Sequence, residues 1–323
     1  MIHRRIALTA ALVLMAAWAP SAWSQAWPTK PITFIVPNPP GGLVDTSARI
    51  VADPLAKLLG ATIVVENKAG ASGNIAYQQV AMAPKDGHTL LVSYSAYHVG
   101  NPAMFAKLPW AQKDLVPVAL LTAATNVITA HPSVPANTLA ELIAYLKANP
   151  GKLNFASQGN GSLSHVGTAL WEQDTGTDMV HVPYKGSGPA IADVLAGNVQ
   201  LFITTPPSVM QHVNTGKLKA FAVTGKSRHP ALPNVPTTTE AGLPGFELEA
   251  WVGLFAPAGT PAPIVAQLTD AVRRALETPE AKANVAKQGI EVRYLAPQQL
   301  AALVEKDTAY WGRLIKARNI TAD

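Results

Sequence analysis

Twice in this sequence a short apolar run ends in a glycine-rich loop that opens straight into a helix-period stretch, and no other feature limits the possible folds as strongly. The first unit joins residues 32–36 (ITFIV) through Pro37-Asn38-Pro39-Pro40-Gly41-Gly42 to residues 45–59, apolar at 48, 51, 55, 58 and 59. The second joins residues 152–157 through Gln158-Gly159-Asn160-Gly161-Ser162 to residues 164–174. A strand tied to a helix by a short connection builds parallel sheet under helical cover, so the chain is expected to be α/β. Ligands of open sheets settle outside the carboxyl ends of the strands. Glycine lets backbone N–H groups approach such a ligand, and a first helical turn presents unpaired donors with partial positive charge. An anion suits that place. Each loop alone is equally well a tight turn; two of them, one in each half of the chain, imply a shared cleft.

The same alternation runs on either side of these units. Strands are expected at 62–66 and 88–93 with a helix over 75–83 between them, and Pro84 and Asp86-Gly87 supply the break. After a connector around 122–138 come a helix at 139–148, a strand at 179–184, a helix at 189–196, and strands at 199–204 and 219–224. A proline-rich passage from 230 to 244 leads to a strand-like return over 247–256, and two helices finish the chain, the last over 297–318. The expectation is two lobes with a cleft between them: 27–125 together with 250–323, and 126–249. No short repeat is present, which argues against solenoids and propellers.

The first 26 residues follow another logic. MIHRR, the apolar stretch 6–19 and the small, polar PSAWSQA form the three-part pattern of a secretory signal, with cleavage expected after Ala26. The apolar core is shorter than the ~20 residues a spanning helix needs, and nothing later reaches that length uninterrupted, so a periplasmic mature chain without membrane insertion is expected. Its loss removes Arg4 and Arg5 and no acid, so the formal charge falls from +5 to +3 on the remaining 297 residues. The basic residues are scattered, which offers nucleic acid no stripe. Cysteine is absent, which excludes disulfides, thiolate metal sites and a cysteine nucleophile. Neither a metal nor a cofactor is expected.

Further candidates sit at other strand ends. Tyr184 and Gly186 follow the strand at 179–184 and rim the expected cleft, with Lys185 towards solvent. Thr204 and Thr205 end the strand at 199–204, and Ser93, Tyr94, Ser95, Tyr97 and His98 end the one at 88–93. Hydroxyls there either meet a ligand or satisfy the next turn. Ser162, Ser164 and His165 lie close together, but no G-x-S-x-G, H-E-x-x-H, Walker loop or G-x-G-x-x-G accompanies them, so catalysis is not expected. His131, His181, His212 and His229 lack ligand spacing and read as surface or packed residues. Trp110, Trp171, Trp251 and Trp311 read as packing.

The segments WPTKPITFIVPNPPGGLVDTSAR, VVENKAGASGN, PKDGHTLL, FASQGNGSLSH, HVPYKGSGPAIADVLAGNVQL and LPNVPTTTEAGLPGFELEAWVGLFAPAGTP together resemble the substrate-binding proteins of tripartite tricarboxylate transporters, the Bug family, over nearly the whole mature length. The resemblance implies a two-lobed, type II-like periplasmic binding fold whose two strand-to-helix loops hold a carboxylate through backbone amides and waters. It puts ligand-facing positions at Gly41, Gly42 and Asp45, and at Ser157, Gly159, Gly161, Ser162 and His165. It also implies docking onto a large and a small membrane subunit. Alternative uses of the same pocket are presentation of a carboxylate to a signalling kinase or, further off, hydrolysis. The chain departs from the family's pattern at Thr204, where an acidic residue is frequent, and at Tyr97 and His98, where small residues are usual. The first departure points away from an amino-acid ligand, the second towards one with an aromatic or bulky apolar body.

Overall fold

Glycine and proline set the ends of the elements. The helix that follows the first loop begins after Gly42 and stops at Gly60, whose left-handed φ of 64° returns its N–H to the Ala56 carbonyl. The computed structural model describes residues 27–317 together with 320 and 321, so the expected signal segment 1–26 lies outside the described residues.

In chain order the elements are β1 (Ile32–Val36), α1 (Leu43–Leu59), β2 (Ile63–Asn67), α2 (Asn74–Ala81), β3 (Thr89–Tyr94), α3 (Ser95–Met104) and β4 (Leu115–Thr125). Then follow β5 (Val127–Ala130), α4 (Leu139–Ala148), β6 (Asn154–Ser157), α5 (Leu163–Thr175), β7 (Val180–Pro183), α6 (Ser187–Leu195), β8 (Leu201–Thr204), α7 (Pro206–Asn214) and β9 (Lys219–Val223). The chain closes with β10 (Glu249–Pro257), α8 (Ala262–Glu277), α9 (Pro279–Lys287), β11 (Glu291–Leu295) and α10 (Pro297–Ala317).

These strands form two sheets, ordered β11-β4-β10-β3-β1-β2 and β7-β6-β8-β5-β9. Lobe one is built on the first and lobe two on the second. β1 is parallel to β2 and β3, and β6 to β7 and β8. Helices cover both faces of β1, which is why ITFIV is apolar and buried at every position but the half-buried Thr33, rather than alternating. The sheets are mixed, however, where parallel ones were expected. β10 returns antiparallel between β3 and β4, and β5 is antiparallel to β8 and β9.

Three other expectations need correcting. The connector at 122–138 holds the end of β4 and all of β5, apolar and buried runs that carry the chain from one sheet into the other. Residues 95–98 are not a strand end but the first turn of α3, which tolerates Pro102 near its close. The last stretch has three helices and a strand rather than two helices; Thr278 ends α8 and caps α9, its hydroxyl accepting from the Ala281 amide.

The two lobes are joined where the chain crosses at residue 126 and again between 224 and 248. The crossings are bonded to each other: the Asn126 amide donates to the Thr224 hydroxyl at 2.8 Å, the Thr224 amide donates to the Asn126 carbonyl at 2.9 Å, and the Asn126 side chain and the Thr224 hydroxyl both donate to the Leu248 carbonyl. All three residues are buried. An unpaired polar group there would cost about 1–3 kcal/mol, so the mutual pairing ties the two crossings to each other.

Candidate functional site

Both glycine loops are shaped by the helix they open into, and by the same bond. In lobe one the Gly41 amide, held at φ 89°, donates to Asp45 Oδ2 four residues on, at 3.0 Å. In lobe two the Gly161 amide, at φ 74°, donates to His165 Nδ1 four residues on, at 3.1 Å. A side chain strains at such φ values, which accounts for glycine at both places.

Asp45 is buried and spent on this scaffold. Arg49 Nε reaches both its oxygens at 3.0 and 3.1 Å, and Asn67 Nδ2 donates to Oδ1 at 3.0 Å while also bonding the Asn38 carbonyl. Burial pushes the carboxyl up, but the bonds from Arg49, Asn67 and the Gly41 amide outweigh it and hold the pKa below the ordinary carboxylate range. Asp45 therefore orders the loop, with no oxygen left over for a ligand. Pro40 and Gly41 are exposed and line no part of the cleft. Gly42 does face lobe two, since a Cβ placed on it would lie 3.2 Å from Ser187 Oγ.

The loop of lobe two is tied down more fully. Ser162 Oγ donates to the Gly159 carbonyl at 2.7 Å, and the Gln158 amide donates to Ser164 Oγ at 2.9 Å. His165 lies flat on His181, with ring centroids 4.0 Å apart and planes 4° from parallel. His181 stacks in turn on Phe155, and its Nε2 is 2.7 Å from Ser157 Oγ. Burial lowers His165 to about 4; burial, and then the charge of His165, lower His181 to about 4 as well. Both rings are neutral at physiological pH.

Between the lobes lies a cavity of about 550 Å³, lined by Pro37, Pro39, Tyr97, the turn 69–73, Gln158, Gly159, Asn160 and residues 183–186. Deeper in, the first turn of α1 at Gly42, Leu43 and Val44 meets Gly186 and Ser187 at the start of α6 across a narrow gap that also touches Asn38, Tyr94 and Gln158. The first turns of α1 and α6 thus face each other across the gap, and α5 begins beside it, its Leu163 amide taken by the Tyr94 hydroxyl. Lys185 on the rim is the one charged side chain among the described residues that line either space.

Gln158 and Ser187 were not singled out from the sequence, although both stand in segments that were. Gln158 Nε2 donates to Ser187 Oγ at 2.7 Å and to Thr204 Oγ1 at 3.3 Å, joining α6 and the end of β8 behind the loop. Thr205 and its hydroxyl are buried without a partner at the cap of α7. Tyr184 gives its hydroxyl to Asp193 at 2.6 Å and is among the residues that line the cavity.

The candidates after β3 divide. Tyr97 reaches the cavity, where its hydroxyl meets Asn38 Nδ2 at 3.5 Å. Ser93, Ser95 and His98 point into lobe one. Ser93 bonds Tyr77 at 2.8 Å and His98 Nδ1 at 3.1 Å, Ser95 Oγ accepts the Trp251 amide at 3.2 Å, and the His98 ring stacks on Phe255 at 4.4 Å. Tyr94 and Tyr97 pack edge to face at 5.1 Å. Tyr94 and Tyr97 thus brace each other where they meet the cleft, whereas His98 is engaged inside lobe one and offers a ligand no surface.

Two α/β lobes joined by paired crossings, with strand-to-helix loops facing each other over a cleft, define a periplasmic solute-binding protein, and solved proteins of that class share the fold over nine-tenths of the chain. Residues 47–320 match the model of the tripartite tricarboxylate transporter family receptor, and the chain belongs to that family. Protein BugT of Bordetella pertussis is 34% identical over 315 residues, 97% of each chain. MatC of Rhodopseudomonas palustris, solved with bound malate, is 37% identical with a TM-score of 0.84 over 90% of this chain and all of its own. Rpa4515 of R. palustris, solved with adipate, is 33% identical with a TM-score of 0.87 over 91% and 99% of the two chains. No helix among the described residues is long and apolar enough to cross a membrane.

Proposed function

We propose that this chain loses residues 1–26 on export, captures a small aliphatic dicarboxylate or hydroxy acid from the periplasm, and delivers it unchanged to the large and small membrane subunits of a tripartite tricarboxylate-type transporter. One lobe is 27–125 with 250–323 and the other is 126–249, with the ligand between them. The observation that carries this reading is that the first turns of α1 and α6 face each other, beside the glycine loop of lobe two, over a cleft whose lining holds no carboxylate and a single rim lysine. Oriented N–H groups suit a carboxylate without a charged partner. A buried ammonium would lack a counter-ion at Thr204, at a cost of several kcal/mol. The ligand-facing groups in this reading are Gly42, Gly159, Asn160, Tyr97, Gly186, Gln158 and Ser187, which line the cleft. MatC and Rpa4515, with their malate and adipate, support the ligand class.

This reading assigns the chain no catalysis. Ser162 donates to a carbonyl, Ser164 accepts a backbone amide, and His165 Nδ1 is held by Gly161, so this cluster gives neither serine a base; Ser157 and Ser93, whose hydroxyls do meet His181 and His98, are fully buried.

Thermal shift over aliphatic di- and tricarboxylates, hydroxy acids, benzoate-type acids and acidic amino acids, followed by calorimetry, tests the reading. A ligand at 100 times its Kd adds about 2.7 kcal/mol of stability. Selective stabilisation by aspartate or glutamate would refute the ligand class, and turnover of any bound acid would refute a binding role.

A further inference from the structure

The bond from Gly41 to Asp45 and the bond from Gly161 to His165 hold equivalent amides at equivalent places, but their acceptors differ in kind. A carboxylate accepts at any pH above its low pKa. An imidazole accepts at Nδ1 only while that nitrogen is unprotonated, with the proton of the neutral ring on Nε2. We propose that His165 is a positioning residue of the ligand site: its neutral ring, seated on His181, clamps the Gly161 amide and so sets the direction in which the loop of lobe two presents its donors.

The geometry supports a clamp rather than a ligand contact. Nδ1 is engaged by Gly161, and His165 lines neither part of the cleft. The ring has one orientation because His181 covers its face, and His181 is fixed by Phe155 and Ser157. The strands packed behind it are β6 (NFAS), β7 (VHVP) and β8 (LFIT), so His181 is the one titratable group they bring to it. Among the described residues no carboxylate is recorded in contact with His165 to stabilise a charged ring, and a second imidazole in face contact opposes one. Protonation at Nδ1 turns the acceptor into a donor aimed at the Gly161 N–H, and the loop must rearrange. Lobe one keeps its clamp under the same conditions, because Asp45 is held below the ordinary carboxylate range.

This inference rests on the cleft being the ligand site, and its test separates the two ideas. His165→Asn places an amide oxygen close to where Nδ1 stood but removes the ring, whereas His165→Phe keeps the stack on His181 and removes the acceptor. Amide hydrogen exchange at Gly161 is followed by NMR in the unliganded protein, and malate affinity by calorimetry at pH 7.5. The clamp predicts Gly161 exchange and malate Kd near the parent in H165N, and about tenfold faster exchange with about tenfold weaker binding in H165F. A role in packing alone predicts the reverse order. In the parent the Gly161 resonance should move with a midpoint near 4, and in H165N it should not. Unchanged Gly161 exchange in H165F, or H165N as impaired as H165F, overturns the proposal. A parent that binds no dicarboxylate fails the proposed function, and the Gly161 exchange still decides the clamp.

Discussion

Ser72 of lobe one donates its hydroxyl to the Asn160 carbonyl of lobe two at 2.9 Å, from a backbone at φ 51° and ψ 42°, a left-handed conformation rare outside glycine. The bond bridges the mouth of the cleft. An exposed hydrogen bond contributes about 0.5–1.5 kcal/mol, so Ser72→Ala should speed ligand dissociation about threefold to tenfold with little change in Tm. Stopped-flow measurement of the dissociation rate checks this, and an unchanged rate would mean that the bond does not hold the lobes together.

Gly42→Val and Gly161→Val should each abolish ligand binding while circular dichroism stays close to that of the parent. At Gly42 the added carbons enter the gap to Ser187; at Gly161 a β-branched residue meets a φ of 74° and tilts the loop. Calorimetry reads both. A Gly42→Val protein that binds as tightly as the parent would place the closed contact elsewhere.

Three histidines are held neutral by burial: His98 at about 3, and His165 and His181 at about 4. In the unfolded chain each takes up a proton near pH 6.5. Between those values the unfolded state binds more protons, so stability should be full above about pH 6.5 and fall steadily towards pH 4. Urea midpoints measured from pH 7.5 to 4.5 should decline. His98→Asn, which removes the most deeply buried of the three, should flatten the decline even though it lowers stability at pH 7.5. A flat profile in the parent would count against neutral burial of these rings.

Asp307 on α10 accepts the Trp251 indole N–H at 2.7 Å, and burial raises its pKa above the ordinary carboxylate value. The sign is opposite to that of a salt-bridged acid. The folded state holds the proton more tightly, so the group reduces stability as pH rises through its folded pKa. Asp307→Asn keeps an oxygen for the indole and removes the charge. It should therefore raise Tm at pH 7, with the gain vanishing near pH 3.5; a fall in Tm at pH 7 would show that the charge itself supports the fold.

The two strand-loop-helix units were legible because their signals are local: an apolar run, glycines, then a helical period. β4 and β5 were not. Their segments (LVPVALLTAAT and VITA) are buried on both faces, so they lack the alternation that marks a half-exposed strand, and Pro117 interrupts the first. The antiparallel path of β10 depends on partners more than a hundred residues away. Among the candidate residues, Gly42, Gly159 and Gly186 could be read from loop position. His98 and Ser93 could not be told from ligand contacts, because a polar residue near a strand end gives no hint of whether it will face the cleft or, as both do here, the inside of lobe one. Gln158 and Ser187 escaped for a related reason: what marks them is their bond to each other across 29 residues.

The placement of β10 also sets an order of assembly. β10 lies between β3 and β4, so the middle of the first sheet stays open until residue 249 and beyond are available. The second sheet draws all five of its strands from residues 127–223 and waits for nothing later. A chain made amino end first can therefore pair every strand of lobe two while the sheet of lobe one still lacks its middle strand. Lobe one, which contributes the earliest strands, is the one whose sheet must wait for the last third of the chain.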